Sequence, residues 1–193
     1  MLVKDIALFL IYGNGCELMM NEEYELVFPT KEYRDAWLTY IEELIKFDKK
    51  IIPSNLAANN YDTFLSNVIL CEKGAIDSKK YVPSKLLFFV NKKQPMNILG
   101  IIDIRMEIND IIRDRVGNIG LSIRPSYRKN GYGEIMLKYG LDFLSQIGFS
   151  EIIYICSEDN FKSRKLVEKF NVNKTEKFND GVEGRYRYYV STK

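Results

Sequence analysis

Apolar residues recur along this chain with two different periods. In the first half, alternation at Tyr24–Phe28 predicts a short strand, and two later segments carry apolar residues three and four positions apart, the spacing of a helix face. The first segment follows Thr30, which we expect to cap a helix, and the second ends at Gly74, a typical helix stop. The first half is therefore predicted to be mainly helical.

The second half changes to a period of two, which predicts strands. The strands are expected at Leu86–Val90, Ile98–Met106, Asn118–Ile123, Ile152–Cys156, Thr175–Phe178 and Arg185–Val190. A polar turn is expected at Asn91–Asn97, and helices are expected from Gly133 to Ile147 and over Asn160–Phe170. Because helices and strands are interleaved, one layered α/β domain is the simplest interpretation.

This single domain is expected to span residues 20–193, which is long enough for a substantial core. Residues 1–19 precede the first strand pattern at Tyr24. We expect them to form an N-terminal arm, or to lie upstream of a true translation start at Met19 or Met20.

The composition excludes several kinds of function. The net charge is +2, so neither a nucleic acid nor a membrane is expected as a partner. Histidine is absent, which excludes Ser-His-Asp and Cys-His catalysis and removes the commonest metal ligand, so we expect no metal. The three cysteines form no CxxC pair, which favours a reducing cytoplasmic location over a disulfide framework.

One stretch, Gly120–Glu134, has the order of features that an anion site requires. It contains a strand, a proline, two basic residues, the glycines Gly131 and Gly133, and the start of a helix. Glycines let backbone N–H groups approach an anion closely, and a helix start adds unpaired donors. The stretch lacks the patterns of a P-loop and of a dinucleotide fingerprint. A pyrophosphate suits it, and the alternative is a surface turn whose glycines serve only backbone angles.

Two motifs, in the correct order and spacing, resemble the GNAT superfamily of N-acetyltransferases. Arg128–Gly133 reads RKNGYG and resembles the motif (Arg/Gln)-x-x-Gly-x-(Gly/Ala). Asn160–Lys169 reads NFKSRKLVEK and resembles the motif Asn-x-x-(Ala/Ser)-x-x-Leu-Tyr-Glu-Lys. Ile104–Asn109 and Gly120–Pro125 also resemble an uncharacterised bacterial subgroup of predicted GNAT acetyltransferases, which supplies a fold and a donor but no acceptor.

The resemblance implies a mixed α/β fold of GNAT type, with a central, mostly antiparallel sheet of about six to seven strands flanked by helices on both faces. It implies acetyl-CoA as the donor, with its pantetheine arm where Asn118–Ile123 splays from Ile152–Cys156. The turn would hold the pyrophosphate, the first strand would pair with the arm and polarise the thioester, and the second motif would contact the thiol end. The implied contacts are Arg128, Lys129, Asn130, Gly131, Tyr132, Gly133 and Glu134 in the turn, Leu121, Ser122 and Ile123 in the strand, and Asn160 and Ser163 in the second motif.

Several of these residues have a second interpretation. Asn160 is a typical helix N-cap, Ser163 has the small size that close packing needs, and Tyr132 can pack on protein instead of on the nucleotide. Cys156 has the chemistry of a nucleophile, but its place at the end of an apolar strand favours a buried, inert thiol.

The sequence departs from the family at Val167, where many members carry a tyrosine that is taken as the acid for the leaving thiolate. An amine acceptor also needs a base, because it is protonated at neutral pH. Glu107 is the candidate, acting through a water, with a solvated loop position as the alternative. Arg105 and Asn109 are candidates for binding an acceptor carboxylate or carbonyl, or for fixing the turn that follows.

These expectations together describe an N-acetyltransferase. It would move an acetyl group from acetyl-CoA directly to a primary amine of a small molecule or peptide, as a monomer or homodimer. A non-catalytic acyl-CoA-binding or interaction module is the alternative that Val167 favours. A nucleotide- or RNA-binding domain is a third, because the turn is basic.

Overall fold

The computed structural model describes residues 23–48, 60–75 and 81–193. The expectation for residues 1–19, and one of the three cysteines, Cys16, lie outside these ranges. In chain order the helices and strands are β1 (Tyr24–Val27), α1 (Arg34–Phe47), α2 (Tyr61–Glu72), β2 (Ser84–Asn91), β3 (Gln94–Arg105), β4 (Ile119–Ile123), α3 (Tyr132–Gln146), β5 (Glu151–Ser157), α4 (Phe161–Val167), β6 (Val172–Asn179) and β7 (Gly184–Ser191). Short 3-10 turns occupy Lys31–Tyr33 and Pro125–Tyr127, and a π-helical turn occupies Ile112–Val116.

The strands form two antiparallel sheets, and the predicted mixed α/β fold class is confirmed. In the first sheet β1, β2, β3 and β4 lie side by side in chain order, and in the second β7 lies between β5 and β6. Tight hairpins make β3 the neighbour of β2 and β7 the neighbour of β6, since Asn91 pairs with Gln94 and Asn179 pairs with Gly184. Strands that are joined by short turns are thus neighbours in the sheet.

Two apolar cores cover opposite faces of the first sheet. On one face, Phe64 of α2 stacks between Trp37 of α1 and Phe88 of β2. On the other face, α3 packs against β3, β4 and β5, so this helix connects the two sheets. In the described ranges, no helix combines the length and the apolar composition that a membrane span requires.

The polar turn predicted at Asn91–Asn97 is wrong, because β3 begins already at Gln94. Only two residues separate the paired strands, and Asn91 Oδ1 accepts a hydrogen bond from the Lys93 N–H at 2.8 Å, which closes the turn. Pro95 lies at the exposed start of β3, where its missing N–H is tolerated.

Two predicted helix ends differ in detail from the structure. Thr30 is the N-cap of a 3-10 turn that leads directly into α1 at Arg34, but its side chain makes no cap bond. The helix predicted to reach Phe170 ends at Val167. There the Phe170 N–H donates to the Val167 carbonyl at 3.0 Å, a tighter turn that satisfies carbonyls at a helix end.

Candidate active site

The two sheets meet at one point and diverge from it. The Asn118 N–H donates to the Ile153 carbonyl at 2.6 Å, and the Ile153 N–H donates to Asn118 Oδ1 at 2.8 Å. Beyond this junction, β4 pairs with β3 alone and β5 pairs with β7 alone among the described strands. A gap therefore opens between β4 and β5.

Hydrogen bonds at both ends of β4 fix its pairing with β3. At one end the Arg105 N–H donates to the Asn118 carbonyl at 2.8 Å, and at the other the Arg124 N–H donates to the Leu99 carbonyl at 2.9 Å. In an antiparallel pair, positions that exchange hydrogen bonds alternate with positions that do not. Every even-numbered residue of β4 therefore bonds to β3.

The odd-numbered residues of β4 consequently present their backbone groups to the gap. The N–H and carbonyl groups of Leu121 and Ile123 point away from β3, and the Ile123 carbonyl accepts a hydrogen bond from Arg128 Nε at 3.0 Å. The backbone of Ser122 instead bonds to β3, and its hydroxyl lies 2.6 Å from Tyr40 Oη. Of the three strand residues expected to meet a coenzyme, Leu121 and Ile123 offer backbone groups to the gap.

β5, on the opposite side of the gap, shows the same alternation of bonded and non-bonded residues. The Thr192 N–H donates to the Ser150 carbonyl at 3.1 Å, and the Glu158 N–H donates to the Gly184 carbonyl at 2.8 Å. Even-numbered residues of β5 therefore bond to β7, and the backbone of Ile155 faces the gap. Both walls thus offer strand edges to an extended ligand.

Five consecutive backbone N–H groups, from Lys129 to Gly133, line the turn that follows β4. None of the five has a hydrogen-bond acceptor within the described residues, whereas the N–H groups of Glu134 and Ile135 donate to the Gly131 carbonyl at 3.0 and 3.3 Å. Lys129 and Gly131 have left-handed φ angles of 69° and 80°. Such backbone can aim successive N–H groups at one point, and the start of α3 adds its dipole. The turn therefore has the backbone geometry that an anion site requires.

The two glycines of the turn have different surroundings. Apart from its two chain neighbours, no described residue has an atom within 4 Å of where a Cβ on Gly131 would be, so this glycine serves the left-handed backbone angle. A Cβ on Gly133 would lie 3.4 Å from Leu166 Cδ2 and 3.9 Å from Ile123 Cγ1. A larger side chain at Gly133 would therefore project between α4 and β4, at the mouth of the gap.

Carboxylates at the end of α1 hold the arginines of the turn. Arg128 Nη1 lies 2.9 Å from Asp48 Oδ1, and Arg128 Nη2 contacts the second carboxylate oxygen. Arg124 Nε lies 2.6 Å from Glu43 Oε2, and Glu43 Oε1 accepts a hydrogen bond from the Ser126 N–H at 2.5 Å. Both guanidinium groups are therefore engaged inside the protein.

An open groove of about 610 Å³ lies beside the turn. Its lining is formed by Glu43, Phe47, Pro125, Ser126, Arg128, Lys129 and Lys162. In the described part of the chain, no carboxylate pairs with Lys129 or with Lys162. These two lysines, one from the turn and one from α4, make the groove cationic.

The remaining residues of the turn contact protein groups. Asn130 Nδ2 donates to a carbonyl of the same turn at 3.1 Å, and Glu134 pairs with Lys169 at 2.6 Å. The ring of Tyr132 packs edge-on against the ring of Tyr24, with their centroids 5.3 Å apart. Packing on protein is therefore the arrangement that the structure shows for Tyr132.

Asn160 and Ser163 lie at the start of α4. Asn160 Oδ1 accepts a hydrogen bond from the Ser163 N–H at 3.1 Å, which makes Asn160 the N-cap. Ser163 Oγ lies 2.7 Å from Tyr154 Oη. Burial raises the pKa of Tyr154, so this phenol stays neutral. Both residues of the second motif thus have a structural partner.

Cys156 and Val167 are both buried. Burial raises the pKa of Cys156 to about 11, so its thiol is protonated at neutral pH and poorly nucleophilic. Val167 is completely buried in the core beneath α4. The position of the family tyrosine therefore supplies an apolar contact and no proton.

Glu107 lies exposed at a bend two residues after β3. It borders a small cavity of about 90 Å³ together with Asn109. Since a strand rises roughly 3.3 Å per residue, the length of β4 separates Glu107 from the amide-lined turn. Glu107 thus lies beyond the end of β4 that is opposite the amide-lined turn.

Arg105 and Asn109 make contacts that fix the segment after β3. Arg105 Nη2 lies 2.8 Å from Asp103 Oδ2, and Arg105 Nη1 donates to the Gly117 carbonyl at 3.2 Å. Asn109 Oδ1 accepts a hydrogen bond from the Ile112 N–H at 2.9 Å. For both residues, fixing the turn is the role that the contacts show.

The sequence did not reveal three residues beside the turn, namely Glu43, Asp48 and Lys162. Glu43 and Asp48 are separated from their arginine partners by about 80 positions, and nothing in the local pattern marks such a pair. Lys162 lies inside the second motif, and its variable position there gives no signal.

The comparison with protein families gives one result for this chain. The sequence model of the acetyltransferase (GNAT) family matches residues 69–171, more than half of the chain. That range includes β4, the amide-lined turn, β5 and α4. No match to the sequence was found among curated proteins.

Several solved structures share the fold at low sequence identity. The microcin C7 self-immunity acetyltransferase MccE, in complex with acetyl-CoA and AMP, has 18% identity and a TM-score of 0.64, covering 93% of this chain and 97% of its own. The ribosomal L7/L12 alpha-N-protein acetyltransferase RimL, in complex with coenzyme A, has 13% identity and a TM-score of 0.64, covering 89% and 95%. The ribosomal-protein-S5-alanine acetyltransferase of Vibrio fischeri has 12% identity and a TM-score of 0.64, covering 90% and 95%.

Proposed function

The chain belongs to the GNAT acetyltransferase family, and from this premise we propose that it transfers an acetyl group from acetyl-CoA directly to a primary amine. One observation carries the proposal. Five backbone N–H groups, from Lys129 to Gly133, have no acceptor among the described residues, and they follow a strand whose edge faces an open gap. This combination fits a ligand with a diphosphate at one end and an extended amide chain next to it.

The coenzyme fits the residues present. The five N–H groups would hold the diphosphate, and the cationic groove with Lys129 and Lys162 would take the phosphorylated nucleotide end. The pantetheine arm has two amides, which would pair with the edge of β4 at Leu121 and Ile123 as an added strand would. The thioester would then lie deeper in the gap, toward Asn118.

The chemistry rests on position and polarisation. The Leu121 N–H faces the gap and would donate to the thioester carbonyl, so that it stabilises the negative charge of the tetrahedral intermediate. Glu107 would remove the proton of the attacking amine through a water. Val167 supplies no acid, and Ser163 Oγ would donate a hydrogen bond to the departing thiolate.

The test is release of coenzyme A thiol from acetyl-CoA in the presence of amines. The panel should hold polyamines, amino acids, aminoglycosides, aminoacyl nucleotides and peptides with free N-termini. Peptides are included because two structural neighbours are acetyltransferases of ribosomal proteins. We expect amine-dependent thiol release by at least one class, and mass spectrometry should find one acetyl group on its nitrogen.

A non-catalytic acyl-CoA-binding module is the second candidate, and the buried Val167 favours it. Calorimetry with coenzyme A separates the outcomes. Binding without turnover across the whole panel would favour the module, whereas absence of binding would refute both candidates.

A further inference from the structure

One face of α1 follows the path of β4 and of the turn after it. Tyr40, Glu43 and Phe47 are three and four positions apart, so they lie on the same side of the helix, and Asp48 follows directly after its last residue. The Tyr40 hydroxyl lies 2.6 Å from Ser122 Oγ and 3.2 Å from the Ser122 carbonyl. The helix therefore contacts β4 before it reaches the turn.

Glu43 and Asp48 continue these contacts along the turn. Glu43 binds the side chain of Arg124 and the backbone N–H of Ser126. Asp48 binds both terminal nitrogens of Arg128, whose Nε binds the Ile123 carbonyl. Two carboxylates thus engage the chain immediately before the five free N–H groups.

The ion pair of Glu43 is partly withdrawn from water, since the side chains of Glu43 and Arg124 are each 18% exposed. Burial alone would raise the pKa of Glu43, but hydrogen bonds from Arg124 and Ser126 lower it below the ordinary value. A planar guanidinium that binds a carboxylate through two nitrogens, as Arg128 does, also fixes direction. These contacts have the geometry of a rigid support.

We infer that Asp48 and Glu43 are positioning residues for the donor site. They fix Arg128 and Arg124, and through these arginines they hold the five N–H groups in the geometry that binds a diphosphate. Arg128 then acts on the shape of the turn and on the edge of β4, and not on the diphosphate itself. The inference rests on the proposed function, because it specifies how the same site is held.

Electrostatics makes the inference testable, because it predicts the direction in which the affinity for coenzyme A changes when Asp48 is neutralised. A carboxylate beside an anion site repels the anion, so Coulomb's law alone predicts that neutralising Asp48 tightens binding of coenzyme A. If Asp48 positions the turn, neutralising it releases Arg128, the amides lose their alignment, and binding weakens. The two interpretations of one charge therefore give opposite results.

The experiment is calorimetric titration of coenzyme A into Asp48→Asn, with Glu42→Gln as the matched control. Glu42 is an exposed carboxylate of the same helix, so its change removes the same charge without touching the turn. We expect Asp48→Asn to raise the Kd at least tenfold, about 1.4 kcal/mol, and Glu42→Gln to change it less than twofold. Unchanged or tighter binding by Asp48→Asn would overturn the inference.

Further variants separate positioning from folding and from direct contact. Asp48→Glu keeps the carboxylate and should recover part of the affinity. If Asp48→Asn fails to fold, Glu43→Gln takes its place, and we expect it to weaken binding of coenzyme A. Arg128→Gln combined with Asp48→Asn should bind no more weakly than either single change. A further loss in the double variant would show that Arg128 contacts the diphosphate itself, against the inference. If the unaltered protein does not bind coenzyme A, the proposed function has failed instead.

Discussion

At the scale of single residues, Gly131 links the proposed anion site to a backbone angle. Its φ is 80°, and apart from its two chain neighbours no described residue has an atom within 4 Å of where a Cβ would be. Space is therefore available for a side chain, and the obstacle is the left-handed conformation, which costs an ordinary residue roughly 1–2 kcal/mol. Backbone with such an angle can aim neighbouring N–H groups at one point.

We predict that Gly131→Val weakens coenzyme A binding at least tenfold, whereas Gly131→Asn stays within about threefold. Valine strongly disfavours the left-handed region and asparagine tolerates it, while both add a side chain to the same open space. Calorimetry gives the two Kd values, and circular dichroism verifies the fold. Equal losses for both variants would mean that bulk, and not backbone angle, is what the site rejects.

The backbone features of the turn that we propose for the donor could be predicted from sequence, because they are local. The proline, the basic residues, the two glycines and the helix start follow one another within Gly120–Glu134, and each acts through its own backbone or charge. The ion pair of Arg128 could not be predicted, since its partner Asp48 is 80 positions away. A local pattern shows that an arginine is present, but it does not show what neutralises it.

At the scale of elements, the segment after β3 depends on a cap. Asn109 Oδ1 accepts the Ile112 N–H at 2.9 Å, and the Arg113 N–H donates to the Asn109 carbonyl at 2.9 Å. These bonds start the helical segment that leads into the π turn at Ile112–Val116. That segment returns the chain to β4, so its start helps to place the junction of the sheets.

We predict that Asn109→Ala lowers the free energy of unfolding by about 1 kcal/mol, as loss of a helix cap does. For a chain of this size that corresponds to a Tm lower by roughly 2–4 °C. Asn109→Asp keeps the accepting oxygen and should retain most of the stability, which differential scanning calorimetry measures. A lower acceptor affinity with an unchanged Tm would instead support the acceptor-binding role that the sequence left open.

Sequence patterns predicted elements better than their ends. The strand before the first hairpin was expected to end in a polar turn, yet Asn91 closes a two-residue turn with its own side chain and β3 starts three residues later. A polar run is equally compatible with a solvated strand and with a loop. Only the pairing partner, here Asn91 opposite Gln94, distinguishes them.

At the scale of the whole molecule, the fold class could be predicted from sequence, but the division into two sheets could not. Alternation along β4 tells which side chains share a face, and it contains no information about which edge is paired. Asn118 marks the division, because its amide oxygen and backbone N–H both bind Ile153. Beyond this residue, β4 and β5 belong to separate sheets. An asparagine before a strand gives no such signal in the sequence.

The open edge of β4 leads to a prediction in which one strand supplies its own control. Because bonded positions alternate, the amides of Gly120 and Ser122 bond to β3, whereas those of Leu121 and Ile123 face the gap. In hydrogen exchange followed by NMR, we expect Leu121 and Ile123 to exchange at least about tenfold faster than their neighbours in the free protein, since an amide without a protein acceptor opens more easily. Saturating acetyl-CoA should slow exchange at Leu121 and Ile123 by a similar factor, because its thioester carbonyl and its pantetheine arm supply the missing acceptors, and Gly120 should change little. If all four amides were equally protected in the free protein, the gap would be closed in solution, and an extended ligand could not add to the sheet as a strand.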